Sequence, residues 1–134
     1  MKGIADTGFL VAYLSSKDRN HGWAMEVEAA ITEPLFTCEA VLTEAAYLLS
    51  NVVAVLKLVS SGLLRVEFTL AAHEVELTAL ARQFGDQEPD LCDLCIVRMS
   101  ELFPERTVVT TDRRDFTIYR RNQRDLIPLI LPPE

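Results

Sequence analysis

Four acids stand where an acid is costly. Asp6 follows Ile4-Ala5 at the end of a brief apolar run. Glu44 lies between Leu42 and Ala45-Ala46-Tyr47-Leu48. Asp93 lies between Leu91-Cys92 and Leu94-Cys95-Ile96, and Asp112 follows Val108-Val109-Thr110-Thr111. A carboxylate among apolar neighbours is penalised by desolvation unless a cation or hydrogen bonds compensate. Carboxylates converging on one point repel each other, and a hard divalent cation relieves that repulsion. Oxygen ligands favour magnesium or manganese over zinc. One or two such ions can orient water and stabilise the oxygens of an in-line phosphodiester displacement.

Each acid also has a structural alternative. Asp6 can cap the helix that follows it, and Asp90 can cap its own. Glu44 can pair with an arginine. Asp112 can be an N-cap with Asp115 answering it as the capping-box acid. The joint occurrence, more than any single acid, points to a site.

The elements that must position these acids alternate along the chain. Residues 3–6 form a first strand, and Thr7 to Leu14 a helix with Phe9, Leu10, Tyr13 and Leu14 on one side. Asp18 or Asn20 is placed to cap a helix over 21–31. A very short strand over 35–37 precedes a helix from Glu39 to Ser50. Its apolar stripe is Val41, Leu42, Ala45, Leu48 and Leu49. A further helix runs from Val52 to Ser61, closed by Gly62. A strand over 63–68 leads through Thr69, a candidate cap, to a helix ending near Phe84. Asp90 starts another that ends near Phe103.

A strand over 107–110, a short helix from Arg113 to Tyr119 and an edge strand over 127–130 complete the chain. Pro128 is tolerated at such an edge. This order predicts one domain over 1–134: a three-layer α/β/α arrangement around a mostly parallel sheet of about five strands. A buried parallel strand ending in polar residues delivers them to the carboxyl edge of the sheet, where α/β proteins keep their sites. Asp6-Thr7 and Thr110-Thr111-Asp112 would both arrive there.

Composition narrows the class. With 134 residues, 49% hydrophobic and 25% charged, the chain suits a globular protein with one core. The longest apolar run, Val52 to Val59, is broken by Lys57 and is far short of a membrane span. Asp6 sits where a signal peptide would be apolar, so a cytoplasmic location is expected. Cys92 and Cys95 form a C-x-x-C with no second Cys/His pair at zinc spacing. Among apolar neighbours they read as core packing.

A net charge of −7 argues against a nucleic-acid partner. Yet Arg113, Arg114, Arg120, Arg121 and Arg124 crowd into one stretch. A local cationic strip beside an acidic pocket can bind a polyanion, though the same strip also reads as a solvated face.

Four segments, taken together, resemble the PIN domain, specifically the small bacterial VapC-type toxin ribonucleases. They are Ile4-Ala5-Asp6-Thr7-Gly8-Phe9-Leu10-Val11-Ala12, Val41-Leu42-Thr43-Glu44-Ala45-Ala46-Tyr47-Leu48-Leu49, Asp90-Leu91-Cys92-Asp93-Leu94-Cys95-Ile96-Val97 and Val108-Val109-Thr110-Thr111-Asp112-Arg113-Arg114-Asp115-Phe116. They come in the family's order and span nearly the whole chain.

The resemblance implies an endoribonuclease dependent on Mg2+ or Mn2+, with Asp6, Glu44, Asp93 and Asp112 as catalytic, metal-binding acids. Thr7 and either Thr110 or Thr111 would bond to the ligands or to metal water, and Asp90 and Asp115 are auxiliary candidates. Arg113 and Arg114 are candidates for the RNA phosphates. The family often has a small residue after its third acid, where this chain has Leu94. The resemblance further implies a small antitoxin protein, whose arginine enters the pocket, and a homodimer. The apolar helices between Val41 and Val59 are the candidate partner surface.

Two rival readings are weaker. A phosphoacceptor receiver domain would need adjacent acids after its first strand and a lysine after a late one. Here only Asp6 follows the first strand, and the lysines are Lys2, Lys17 and Lys57. A catalytically silent PIN-like scaffold is disfavoured by the presence of all four acids.

Overall fold

The computed structural model describes residues 1–134. Its centre is β1 (Gly3–Ala5), buried at every position. On one side β1 pairs with β2 (Leu35–Thr37), and β2 pairs with β3 (Leu64–Val66). On the other side it pairs with β4 (Thr107–Val109), which pairs with β7 (Leu129–Ile130). Every pairing is parallel, giving a five-stranded sheet in the order β3-β2-β1-β4-β7. Strands covered on both faces need apolar residues throughout. Ile4, Ala5, Leu35, Val108 and Val109 are fully buried.

The helices flank this sheet. They are α1 (Thr7–Leu14), α2 (His21–Ala29), α3 (Glu39–Leu49), α4 (Val52–Ser60), α5 (Glu74–Gln83), α6 (Leu91–Leu102) and α7 (Arg113–Phe116). Helix α1 packs on α2 and α3, α3 on α4 and α6, and α5 on α6. The expected α/β/α layering and parallel sheet are both present. The break between α3 and α4 is local chemistry. Ser50 adopts a left-handed backbone with φ 49°, and the side chain of Asn51 accepts a bond from the amide of Ala54 at 3.0 Å. Gly62, at φ 86°, ends the turn after α4, where a side chain would be strained.

Several elements depart from their expected bounds. The helix expected from Thr69 to Phe84 is a 3-10 turn over Leu70–His73 followed by α5, and Thr69 makes no side-chain cap. Asn20 stands at the N-cap of α2 without capping it. Instead its amide donates to Asp18 Oδ1 at 2.8 Å. The helix expected to reach Tyr119 stops at Phe116. There Thr117 Oγ1 donates to the carbonyl of Arg113 at 2.7 Å. Arg120 donates to the carbonyls of Thr117, Ile118 and Tyr119, so side chains take bonds that another helical turn would need.

A small antiparallel ribbon not anticipated from the sequence follows, β5 (Arg120–Arg121) with β6 (Asp125–Leu126). Its turn places Asn122 and Gln123 at positive φ. All three cysteines are free and buried, as the core-packing reading of Cys92 and Cys95 expected. No helix is long and apolar enough to cross a membrane.

Candidate metal centre

The order of the sheet decides where a cleft can open. From β1 the chain builds outward through β2 and β3, then returns to pair β4 on the other side of β1. Connections therefore diverge at the carboxyl ends of β1 and β4, and a crevice forms there. Asp6 lies just past β1, and Thr110, Thr111 and Asp112 just past β4. The register puts Ala5 opposite Val109, so the two strand ends are level. The amide of Asp6 donates to the carbonyl of Val109 at 3.0 Å, which locks them together.

The resulting cleft of about 430 Å³ is lined by Asp6, Asp18, Glu44, Glu88, Asp90, Asp93, Asp112 and Asp115, with no basic side chain. The tightest convergence within it involves Asp93, Asp112 and Asp115. One carboxylate oxygen from each lies within 4.8 Å of the other two.

The hydrogen bonds separate the capping roles from the rest. Asp90 Oδ1 accepts the amide of Asp93 at 2.8 Å, and Asp112 Oδ1 accepts the amide of Asp115 at 2.9 Å. Both acids therefore cap their helices, with further acceptor capacity left over. Asp6 stands at the N-cap of α1, but its side chain does not cap it. Instead Asp6 Oδ2 accepts the hydroxyl of Thr110 at 2.6 Å, and Thr110 Oγ1 in turn accepts the amide of Asp112 at 3.0 Å. This chain of bonds ties the ends of β1 and β4 into one polar unit.

The electrostatics show first the cost of burial and then that of crowding. Burial pushes the Asp6 carboxyl up from 3.8 to about 6 against the Thr110 bond, and the charges of Asp112 and Glu44 add to the rise. Burial likewise lifts Asp93 to about 7 against the bond from Tyr119, helped by Asp90, Asp6 and Asp112. Asp112 is also raised, first by burial and then by Asp115. Several buried acids raised together at one point make a setting that a cation would relieve. Thr7 Oγ1 is buried beside them with no hydrogen-bond partner. An all-oxygen donor set, a carboxylate triple and an orphaned hydroxyl fit a hard divalent cation.

A model of the PIN domain matches residues 4–122. The chain belongs to the PIN domain family. It is similar to Ribonuclease VapC26 of Mycobacterium tuberculosis, with 26% identity over 123 residues that take in 87% of this chain and 91% of that protein. Among solved structures it resembles Mycobacterium tuberculosis VapC20, described as a sarcin-ricin loop cleaving toxin. The TM-score is 0.69 at 19% identity, covering 81% of this chain and 87% of that one. At that identity the likeness shows the fold.

In this PIN domain the acids expected from the sequence, Asp6, Glu44, Asp93 and Asp112, all line the cleft, as do the auxiliary candidates Asp90, Asp115, Thr7 and Thr111. Thr110 is fully buried behind them and donates its hydroxyl to Asp6. The arginines are placed differently. Arg113 bonds the carbonyl of Pro132 at 2.8 Å and lies 3.4 Å from Glu134, so it holds the C-terminal tail. Arg121 is bonded to the carbonyls of Ser100 and Pro104, and Arg120 to those after α7. Of the expected cationic strip, only the Arg114 and Arg124 side chains make no hydrogen bond or ion pair.

Three features escaped the sequence reading. Tyr119 donates to Asp93 Oδ2 at 2.8 Å, from a position no periodicity marks. A Cβ at Gly8 would stand 1.9 Å from Thr111 Oγ1, so any side chain there would collide with Thr111 unless that threonine moved. Asp18 and Glu88 reach the cleft from loops, where pattern carries little information.

Proposed function

We propose that this chain is a divalent-metal-dependent endoribonuclease that hydrolyses RNA phosphodiester bonds, the toxin of a type II toxin–antitoxin pair. The observation that carries the reading is the cleft at the β1 and β4 ends, lined by eight carboxylates and no base. A phosphodiester is an anion, and such a cleft repels it unless cations intervene. Mg2+ or Mn2+ would supply that charge, activate water and stabilise the oxygens of the displaced phosphodiester.

Asp93, Asp112 and Asp115 would hold the ion, with Asp6 and Glu44 completing the acidic surround. Thr110 holds Asp6 from behind, and the unpartnered hydroxyl of Thr7 would be available to water on such an ion. Arg114, exposed and without a partner, is available to the RNA backbone. The ribonuclease named among the relatives supports this reading.

The proposed partner surface is the groove between α3 and α4. Leu42, Ala46, Tyr47, Val52, Val55 and Leu56 line a hollow of about 420 Å³ there. We assign it to the antitoxin or to a second copy in a homodimer. A cytoplasmic setting suits three free thiols.

The test is cleavage of an RNA panel with Mg2+ or Mn2+ by the protein and by Asp6→Asn. Loss of cleavage on chelation and in the variant is expected. Undiminished cleavage by Asp6→Asn would discard the site. A wild-type protein that neither cuts RNA nor binds metal would leave a PIN-fold scaffold.

A further inference from the structure

Tyr119 has no role in the fold family's motifs as they appear in this sequence, yet it joins the two halves of the carboxylate triple. Asp93 comes from α6, whereas Asp112 and Asp115 come from α7 and its N-cap. The hydroxyl of Tyr119 donates to Asp93 Oδ2 at 2.8 Å, while its own backbone amide donates to the carbonyl of Asp115 at 2.9 Å. One residue thus grips both elements.

Its ring is fully buried. Phe84 and Phe116 meet it edge-on at centroid distances of 5.3 and 5.2 Å. Two aromatic walls leave the ring little freedom, so the hydroxyl is aimed before any ligand arrives.

The geometry points to Tyr119 as a positioning residue. It fixes the Asp93 carboxylate by one oxygen and so sets the spacing of Asp93 against Asp112 and Asp115 for a divalent cation. The inference rests on the metal-site reading above. Outer partners of ligating carboxylates commonly change metal affinity by 10–100-fold when removed.

The experiment titrates Mn2+ into chelator-stripped full-length protein, followed by electron paramagnetic resonance, alongside thermal unfolding of the metal-free forms. Tyr119→Phe keeps the ring and removes only the donor. It should weaken Mn2+ binding about tenfold and alter the signal of the bound ion. In an Asp93→Asn background the same change should have little further effect. Phe84→Leu, which loosens the ring but keeps the hydroxyl, should weaken binding in the same direction and serves if Tyr119→Phe does not fold.

Mn2+ affinity and signal unchanged in a folded variant, with or without a lower melting temperature, would overturn the positioning role while leaving the metal site standing. A wild-type protein that binds no Mn2+ would overturn the site itself, and this inference with it.

Discussion

Asp6→Asn should make the metal-free protein more stable, and only above acidic pH. Asp6 is 6% exposed, and burial lifts its carboxyl from 3.8 to about 6. Between those values the folded protein keeps a proton that the unfolded chain has released. The folded state binds more protons, so stability falls as pH rises through that window and stays lower above it. Each tenfold change in ionisation constant is worth about 1.4 kcal/mol, so ionising Asp6 costs the fold about 3 kcal/mol by pH 8.

Asparagine never ionises, and its carbonyl can still accept the Thr110 hydroxyl. The variant should therefore match wild type near pH 4 and exceed it by about 3 kcal/mol at pH 8, roughly 10 °C in melting temperature for a domain of this size. Asp93, lifted to about 7, bends the wild-type curve the same way over a slightly wider range. It is less buried, so screening reduces its share. Thermal unfolding of both proteins in chelator at pH 4 and pH 8 decides the matter. Saturating Mn2+ at pH 8 should then raise wild type more than the variant. A gain as large at pH 4 as at pH 8, or no gain at pH 8, would refute the reasoning that unbalanced charge in the cleft destabilises the fold.

Asp115→Asn should weaken Mn2+ binding at least about tenfold, because Asp115 belongs to the carboxylate triple. Asp90→Asn retains a good cap and lies outside the triple, so its affinity by calorimetry should stay within about twofold; equal losses in the two would contradict the assignment. Gly8→Ala should destabilise by about 1–3 kcal/mol through the collision with Thr111. Adding Thr111→Ala should recover most of that in a denaturant titration, and no recovery would mean the contact was misjudged.

Arg106→Met should lose about 2–4 kcal/mol. The arginine bonds the carbonyls of Gly3 and Pro34 and the carboxylate of Glu33, and lies 3.3 Å from the Phe36 ring centroid. Those contacts sit at the end of the sheet away from the cleft, so Mn2+ affinity should be unchanged. A variant that also binds metal poorly would show the two ends to be coupled.

The sequence by itself determined the layers and the acids. A short β-branched run closed by polar residues, such as Val108-Val109, suits a buried strand, and a stripe such as Val41 to Leu49 suits a helix face, although Val52-Val53 opens a helix instead. Acids embedded in those runs had to be compensated somehow. These are local facts, written in period and polarity, and a sequence carries them openly. Only the tertiary structure decided which partner each acid meets. Asp6, Asp90 and Asp112 all precede helices and read alike. Yet Asp90 and Asp112 cap while Asp6 turns to Thr110, a residue 104 positions away. The strip of arginines read as one cationic face, but Arg113, Arg120 and Arg121 are held by carbonyls that the chain brings to them. Tyr119 lies outside every motif and Gly8 sits within one that does not state its contact, because the meaning of each lies in a distance to one atom on another element. Periodicity records which face a residue presents to the core, while the partner it meets depends on how the strands are ordered.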